Sequence, residues 1–316
     1  MISELGFDVP EWYKIIISYI YLITLGFGSI GIIIRYFGFQ IPKIHILLSD
    51  LLILTIFGFS LYNSFYDIID HYQKAFILFA ITILFLRELS NINFQYKKSF
   101  SNPAQLFIIS FLILVLFGSF LLYLPNATHQ NIKFLDALFT SVSAVCVTGL
   151  STVDIGSTYT LFGQSILLLL IQLGGLGIMT FASYFSFFFK GGTSYQNRLT
   201  LGNITNSQEI GKVFSTIKNI ILVTFIFELI GTVSIYFSIN PNDFSSEFER
   251  IYFSFFHSIS SFNNAGFSTL PNGLYELTYR FNYSLHLIIA FLFILGGLGF
   301  PIVFNIFKYL KYLILR

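Results

Sequence analysis

The chain has 316 residues, of which 55% are hydrophobic and only 10% charged, against roughly 25% charged in an average soluble protein. Its mean hydropathy is +0.77, with 41 phenylalanines and 19 tyrosines. This leaves too little polar surface for a soluble enzyme or a disordered chain. A net charge of +2 signals no nucleic-acid partner.

About 20 mostly apolar residues are needed to cross a bilayer as a helix. In chain order such stretches fall at 13–34, 45–65, 72–89, 104–124, 159–189, 217–239 and 283–307. The first is not expected to be a signal peptide, because Glu4, Asp8 and Glu11 precede it where a basic start is usual. The third is shortened by Arg87 and Glu88, and the fifth is long enough to tilt. Two further apolar stretches, 134–146 and 248–263, are too short to span. The expected fold is therefore an all-α polytopic membrane protein, with about seven transmembrane helices and two re-entrant pore helices.

Lysine and arginine set orientation. Arg35, Lys43, Lys97, Lys98, Lys190, Arg198, Lys212, Lys218, Lys308, Lys311 and Arg316 fall on one side of these seven spans. The other side holds most of the acids, including Asp67, Asp136, Asp154 and Glu247. This predicts a multi-pass cell-membrane protein, surrounded by lipid, with its amino terminus outside and its carboxy terminus in the cytoplasm. Both short stretches then lie on the outer side.

An internal repeat runs through the second part of the chain. Phe139, Ser141 and Ser143 answer to Phe256, Ser258 and Ser260, and Gly149, Ser151 and Thr152 answer to Gly266, Ser268 and Thr269. The run Leu173-Gly174-Gly175-Leu176-Gly177 recurs as Leu295-Gly296-Gly297-Leu298-Gly299. Each copy reads span, short helix, glycine-bearing turn, span. The repeat divides the chain into an amino-terminal three-helix region, 1–98, and two span–pore–span repeats, 99–198 and 199–316.

The turns Val147-Thr148-Gly149-Leu150 and Asn264-Ala265-Gly266-Phe267 sit at the inner ends of the short helices. Irregular backbone at membrane depth is tolerated only where it lines a cavity or is buried in protein. Glycine opens backbone angles that turn carbonyls toward a common axis. Such carbonyls replace the water shell of a cation. Neither turn contains Asp or Glu, which disfavours a calcium-type carboxylate ring. Glu228, inside an apolar span, has two readings: a hydrogen bond to a pore helix, or a role on an ion path. Gly174, Gly175, Gly296 and Gly297 read as close helix packing. Asp50 and His45 sit near a span end and are expected to reach the interface. His257 and Cys146 read as packing residues, and no His/Cys cluster marks a metal site.

The segments Ser143-Ala144-Val145-Cys146-Val147-Thr148-Gly149-Leu150, Gln172-Leu173-Gly174-Gly175-Leu176-Gly177 and Phe262-Asn263-Asn264-Ala265-Gly266-Phe267-Ser268 resemble the Trk/Ktr family of bacterial potassium uptake proteins. The resemblance covers roughly residue 104 onward. It implies a pore of four span–pore-helix–span repeats, each giving one filter strand with a central glycine, here Gly149 and Gly266. A glycine at Gly149, where sodium-preferring relatives often have serine, implies potassium as the transported ion. It also implies a cytoplasmic nucleotide-binding regulatory subunit as partner. No cofactor and no covalent chemistry are expected. Only two repeats are found here, so the chain is expected to be half of such an assembly. The other two repeats, or a second copy, would complete it. The competing readings are a non-conducting scaffold and a polytopic membrane enzyme. The enzyme reading lacks any acid–base constellation at recognisable spacing.

Overall fold

The computed structural model describes residues 6–7, 10–37, 44–65, 76–84, 103–190, 206–299, 302–305, 309 and 312–313. The expected boundaries at 98 and 198 fall outside the described residues, as do Lys43, Arg87, Glu88, Lys97, Lys98, Arg198, Lys308, Lys311 and Arg316. Among the described residues the secondary structure is helical, with one isolated antiparallel bridge between Thr128 and Tyr159. The chain forms two compact units, Met1–Ser101 and Asn102–Arg316.

The first unit contains α1 (Glu11–Phe37), α2 (Ile44–Phe65) and a helical segment at 76–84. Leu25, Ile32, Ile53 and Ala80 are fully buried among them. Asp50 does not reach an interface as expected. It is buried, and its carboxylate accepts a 2.9 Å hydrogen bond from the Tyr36 hydroxyl. A polar group inside apolar surroundings is tolerated when such a bond satisfies it. The side chain of His45 lies outside the described residues.

The second unit is built twice. α3 (Pro103–Leu122), α4 (Phe134–Val145), the one-turn α5 (Ile155–Thr158) and α6 (Leu161–Lys190) form the first copy. α7 (Asn206–Ser238), α8 (Glu247–Phe262) and α9 (Tyr283–Gly297) form the second. Each first long helix ends in a short 3₁₀ turn opened by proline, Pro125–Ala127 or Pro241–Asp243. In both copies the three main helices pack on one another, and α6 also packs on α7 and α8.

Small residues and hydroxyls set how closely these helices approach. A Cβ on Gly118 would sit 2.6 Å from Ser141 Oγ and 2.7 Å from a Leu170 methyl carbon. Gly231 stands in the same relation to Ser258 and Leu292. The two serines exploit that closeness. Ser141 donates to the Val115 carbonyl at 2.8 Å, and Ser258 donates to the Glu228 carbonyl at 2.6 Å. Each short helix is thereby pinned to the long helix before it.

Among the described residues three helical segments are long and apolar enough to cross a membrane: Ile16–Ile34, Leu161–Thr180 and Ile217–Ser238. They fall within the first, fifth and sixth expected spans. Shorter apolar helices occupy Asp50–Leu61, Phe107–Leu122, Phe134–Val145 and Tyr283–Gly297. Leu112, Ile113, Phe117, Leu169, Phe225 and Leu229 are all exposed. An exterior of this kind suits hydrocarbon rather than water.

Candidate functional site

Helices α4 and α8 end in the same way. Cys146 and Asn263 are their right-handed terminal residues, and their N–H groups donate back to Val142 and Ile259 at 2.8 and 3.0 Å. The next residues, Val147 and Asn264, have φ of +56° and +60°. Two residues on, Gly149 and Gly266 have φ of +74° and +72°. Thr148 and Ala265 between them keep negative φ, and their N–H groups reach back to the Ser143 and Ser260 carbonyls at 2.8 and 2.7 Å. Alternating the hand of successive residues turns successive carbonyls toward one side of the strand. Among the described residues, the carbonyls of Val147, Thr148, Gly149, Leu150, Asn264, Ala265 and Gly266 accept no hydrogen bond.

The carbonyl of Phe267 is the exception, because Ser260 Oγ donates to it at 2.7 Å. In the first copy the equivalent Ser143 Oγ instead accepts from the Leu150 N–H at 2.8 Å. A level higher, Thr140 donates to the Asp136 carbonyl at 2.8 Å and lies 3.4 Å from Ser151 Oγ. His257 replaces that threonine, with Nδ1 2.8 Å from the Phe253 carbonyl and Nε2 2.8 Å from Ser268 Oγ. A nitrogen facing a carbonyl must carry the proton, so Nε2 accepts from Ser268. His257 thus ties the turn to its helix, a role beyond the packing expected of it.

The Gly-Gly runs of α6 and α9 lie under the ends of the short helices. A Cβ on Gly174 would collide with the Val145 carbonyl, and one on Gly296 with the Phe262 carbonyl. The packing reading of these two glycines therefore holds. Asn264 is tied to α9. With its amide oriented so that donors meet acceptors, it donates to the Phe293 carbonyl at 2.8 Å and accepts from the Gly297 N–H at 3.0 Å.

The two strands lie side by side, since a Cβ on Gly149 would collide with the Ala265 carbonyl. All eight expected site residues are brought into these two turns. Their covering differs. Asn263, Ala265 and Phe267 are buried, at 4%, 1% and 4% exposure. Their counterparts Cys146, Thr148 and Leu150 are all exposed, Leu150 at 64%.

Glu228 is buried behind the second strand at 2% exposure. One carboxylate oxygen accepts from Asn263 Nδ2 at 3.0 Å and the other from Gln172 Nε2 at 3.2 Å. Asn263 Nδ2 also lies 3.3 Å from Gln172 Oε1 and 3.0 Å from the Ile259 carbonyl. The hydrogen bond expected of Glu228 is therefore present, to Asn263, which caps the carboxy-terminal end of α8. The Asn263 oxygen has no partner and rests where a Cβ on Gly175 would be. Gln172 and Asn263 were missed as Glu228's partners. Gln172 carried a signal, as a lone amide inside an apolar run, whereas Asn263 lies among Ser260, Ser261 and Asn264 and carried none. Among the described residues no group of three or more His, Cys, Asp or Glu gathers as a metal site.

The TrkH family, described as cation transport proteins, matches residues 71–316. The chain is 38% identical over 206 residues to Ktr system potassium uptake protein B of Bacillus subtilis, covering 65% of this chain and 45% of that protein. It is 37% identical over 213 residues to potassium/sodium uptake protein NtpJ of Enterococcus hirae, covering 66% and 46%. With the Ktr system potassium uptake protein B of Vibrio alginolyticus it shares 30% over 212 residues, covering 67% and 46%. The chain spans about half the length of the curated relatives it matches. On the extent of the family match, which takes in both copies of the helix–short-helix–turn unit, this chain is a membrane protein of the TrkH cation transport family.

Proposed function

We propose that this chain supplies two strands of a carbonyl-lined filter through which potassium crosses the membrane. The strands are Val147-Thr148-Gly149-Leu150 and Asn264-Ala265-Gly266-Phe267. The observation that carries this reading is the matched pair of turns with alternating hand, whose carbonyls, Phe267 apart, accept no hydrogen bond among the described residues. An oxygen without an internal donor is available to replace the hydration shell of a cation. The carboxy-terminal partial negative charges of α4 and α8 are aimed at the same place. The names of the relatives, potassium uptake protein and potassium/sodium uptake protein, favour a monovalent cation.

On this reading 1–98 forms an amino-terminal membrane region, and 99–198 and 199–316 are two pore repeats with re-entrant helices. The filter turns open outward, the amino terminus lies outside and the carboxy terminus in the cytoplasm. Two strands line about half of a four-strand ring. Further repeats or a second copy complete the ring, and a cytoplasmic nucleotide-binding subunit regulates it. The uncovered side chains of Cys146, Thr148 and Leu150 support a missing neighbour on that side.

The reading is tested with the assembled transporter in a bacterium that lacks its own potassium uptake. Gly149→Ser raises sodium uptake relative to potassium, because the added side chain disturbs the carbonyl spacing at Ala265. An unchanged sodium-to-potassium ratio in a variant that reaches the membrane sinks the assignment of these turns.

A further inference from the structure

The polar cluster behind the second strand is not needed to build that strand. The first repeat makes the same turn, with backbone bonds from Cys146, Val147 and Thr148 that match those from Asn263, Asn264 and Ala265. It carries Val115 and Cys146 where the second carries Glu228 and Asn263. The hydroxyl that pins each short helix reaches the backbone carbonyl of Val115 or Glu228, whatever the side chain there. The fold therefore does not require a carboxylate at this place.

The hydrogen bonds of the cluster have one direction. Both amides donate to Glu228, one to each oxygen. Reversing the Asn263 amide would set its oxygen against three others, those of Ile259, Gln172 and Glu228. Two amide donors, one to each oxygen, favour the ionised form of the carboxyl group. A buried carboxylate needs compensation. Two neutral amides supply hydrogen bonds but no positive charge. Among the described residues no Lys, Arg or His forms an ion pair with Glu228. The adjacent place suited to a cation is the turn itself, since Asn263 directly precedes the first left-handed residue, Asn264.

We propose that Glu228 is a fixed negative charge behind the second strand, balanced by the monovalent cation held at the turns, and that it raises their affinity for that cation without touching it. The proposal rests on the filter reading above. A charge acts alike on potassium and sodium, which carry the same charge, whereas carbonyl spacing separates them by size. A unit charge about 10 Å away, at an effective dielectric of about 20, changes cation affinity by roughly tenfold. Removing the charge while keeping a hydrogen-bonding side chain therefore raises the apparent KM for both ions by one factor. It leaves their ratio in place.

The test expresses the chain from its own locus, with its flanking reading frames, in a potassium-uptake-deficient bacterium. Initial rates of rubidium, potassium and sodium uptake are measured against ion concentration, with membrane abundance followed by immunoblot. In E228Q the KM for potassium and sodium rises about tenfold together, with the maximal rate retained. In E228D, which keeps the charge, it stays within about threefold of the unaltered protein. An unchanged KM in E228Q overturns the proposal, as does a KM ratio that shifts between the ions, the mark of a purely geometric role. If E228Q fails to accumulate, E228D decides. A tenfold rise despite the retained charge overturns the proposal, and a near-normal KM supports it. Absence of any potassium uptake by the unaltered protein overturns the filter reading and this proposal together, whereas normal uptake with an insensitive E228Q overturns this proposal alone.

Discussion

Gly149 and Gly266 have the same backbone conformation and different surroundings. At both, a Cβ in the left-handed region costs about 1–2 kcal/mol. At Gly266 nothing stands within 4 Å of the added atom, but at Gly149 it would collide with the Ala265 carbonyl. Gly266→Ala is thus expected to cost about 1–2 kcal/mol in this chain, and Gly149→Ala clearly more, because a neighbouring strand must move. Thermal unfolding of the purified variants in detergent measures the order, and equal losses would contradict the strand contact. The two glycines were legible in the sequence because the repeat marked them. The left-handed Val147 was not, since a β-branched residue is the last choice for positive φ. It is held there by the bonds from its own N–H to the Ala144 carbonyl and from Thr148 to Ser143. A window of residues along the chain carries no trace of such cross-bonding.

Contact between elements depends on where side chains are missing. The glycines of α6 and α9 allow the long helices to pass beneath the carboxy-terminal carbonyls of α4 and α8. Helices in hydrocarbon gain no hydrophobic drive from meeting, so this closeness is what stabilises the contact. Gly174→Ala or Gly296→Ala meets backbone rather than a flexible side chain, and is expected to destabilise by about 1–3 kcal/mol or more. Native-gel migration and detergent stability would register it, and a neutral result at both sites would argue that the helices are farther apart. The two Gly-Gly runs could be read from the sequence as packing signals. The Gly118–Ser141 and Gly231–Ser258 pairs could not, because a lone glycine and a serine in apolar runs carry no spacing signature until the helices are laid together. The clamp of Gln172, Glu228 and Asn263 escaped for the same reason, as its three members come from α6, α7 and the end of α8.

For the whole molecule, the charge split predicts which loops face which side. Single cysteines placed at Asn126 and Asn206, in a Cys146→Ser background, are challenged on intact cells with a thiol reagent that cannot cross the membrane. Position 126, in the turn after α3, is labelled, and position 206, at the start of α7, is not. Labelling at 206 without labelling at 126 would invert the proposed orientation. The helical fold class followed from the length of the apolar runs. Along the described residues α9 ends at Gly297 and Gly299 has a φ of +81°, a break inside a run that looks continuous when hydropathy is averaged.

The unequal covering of the two strands makes the lone thiol a gauge of assembly. Asn263 is sealed by Gln172 and Gly175 of the preceding repeat, whereas Cys146, at the same station in the first repeat, is bare. A helix that seats against the first strand as α6 seats against the second must close over this sulfur. Reactivity of Cys146 toward a small membrane-permeant maleimide should then be fast in the isolated chain and fall at least about tenfold once the ring is complete, as a buried thiol is inert while an exposed one reacts. The protection would be read without transport, without an ion and without any engineered residue. A thiol that stays equally reactive in the complete transporter would place the closing helix somewhere other than the exposed edge of the first strand.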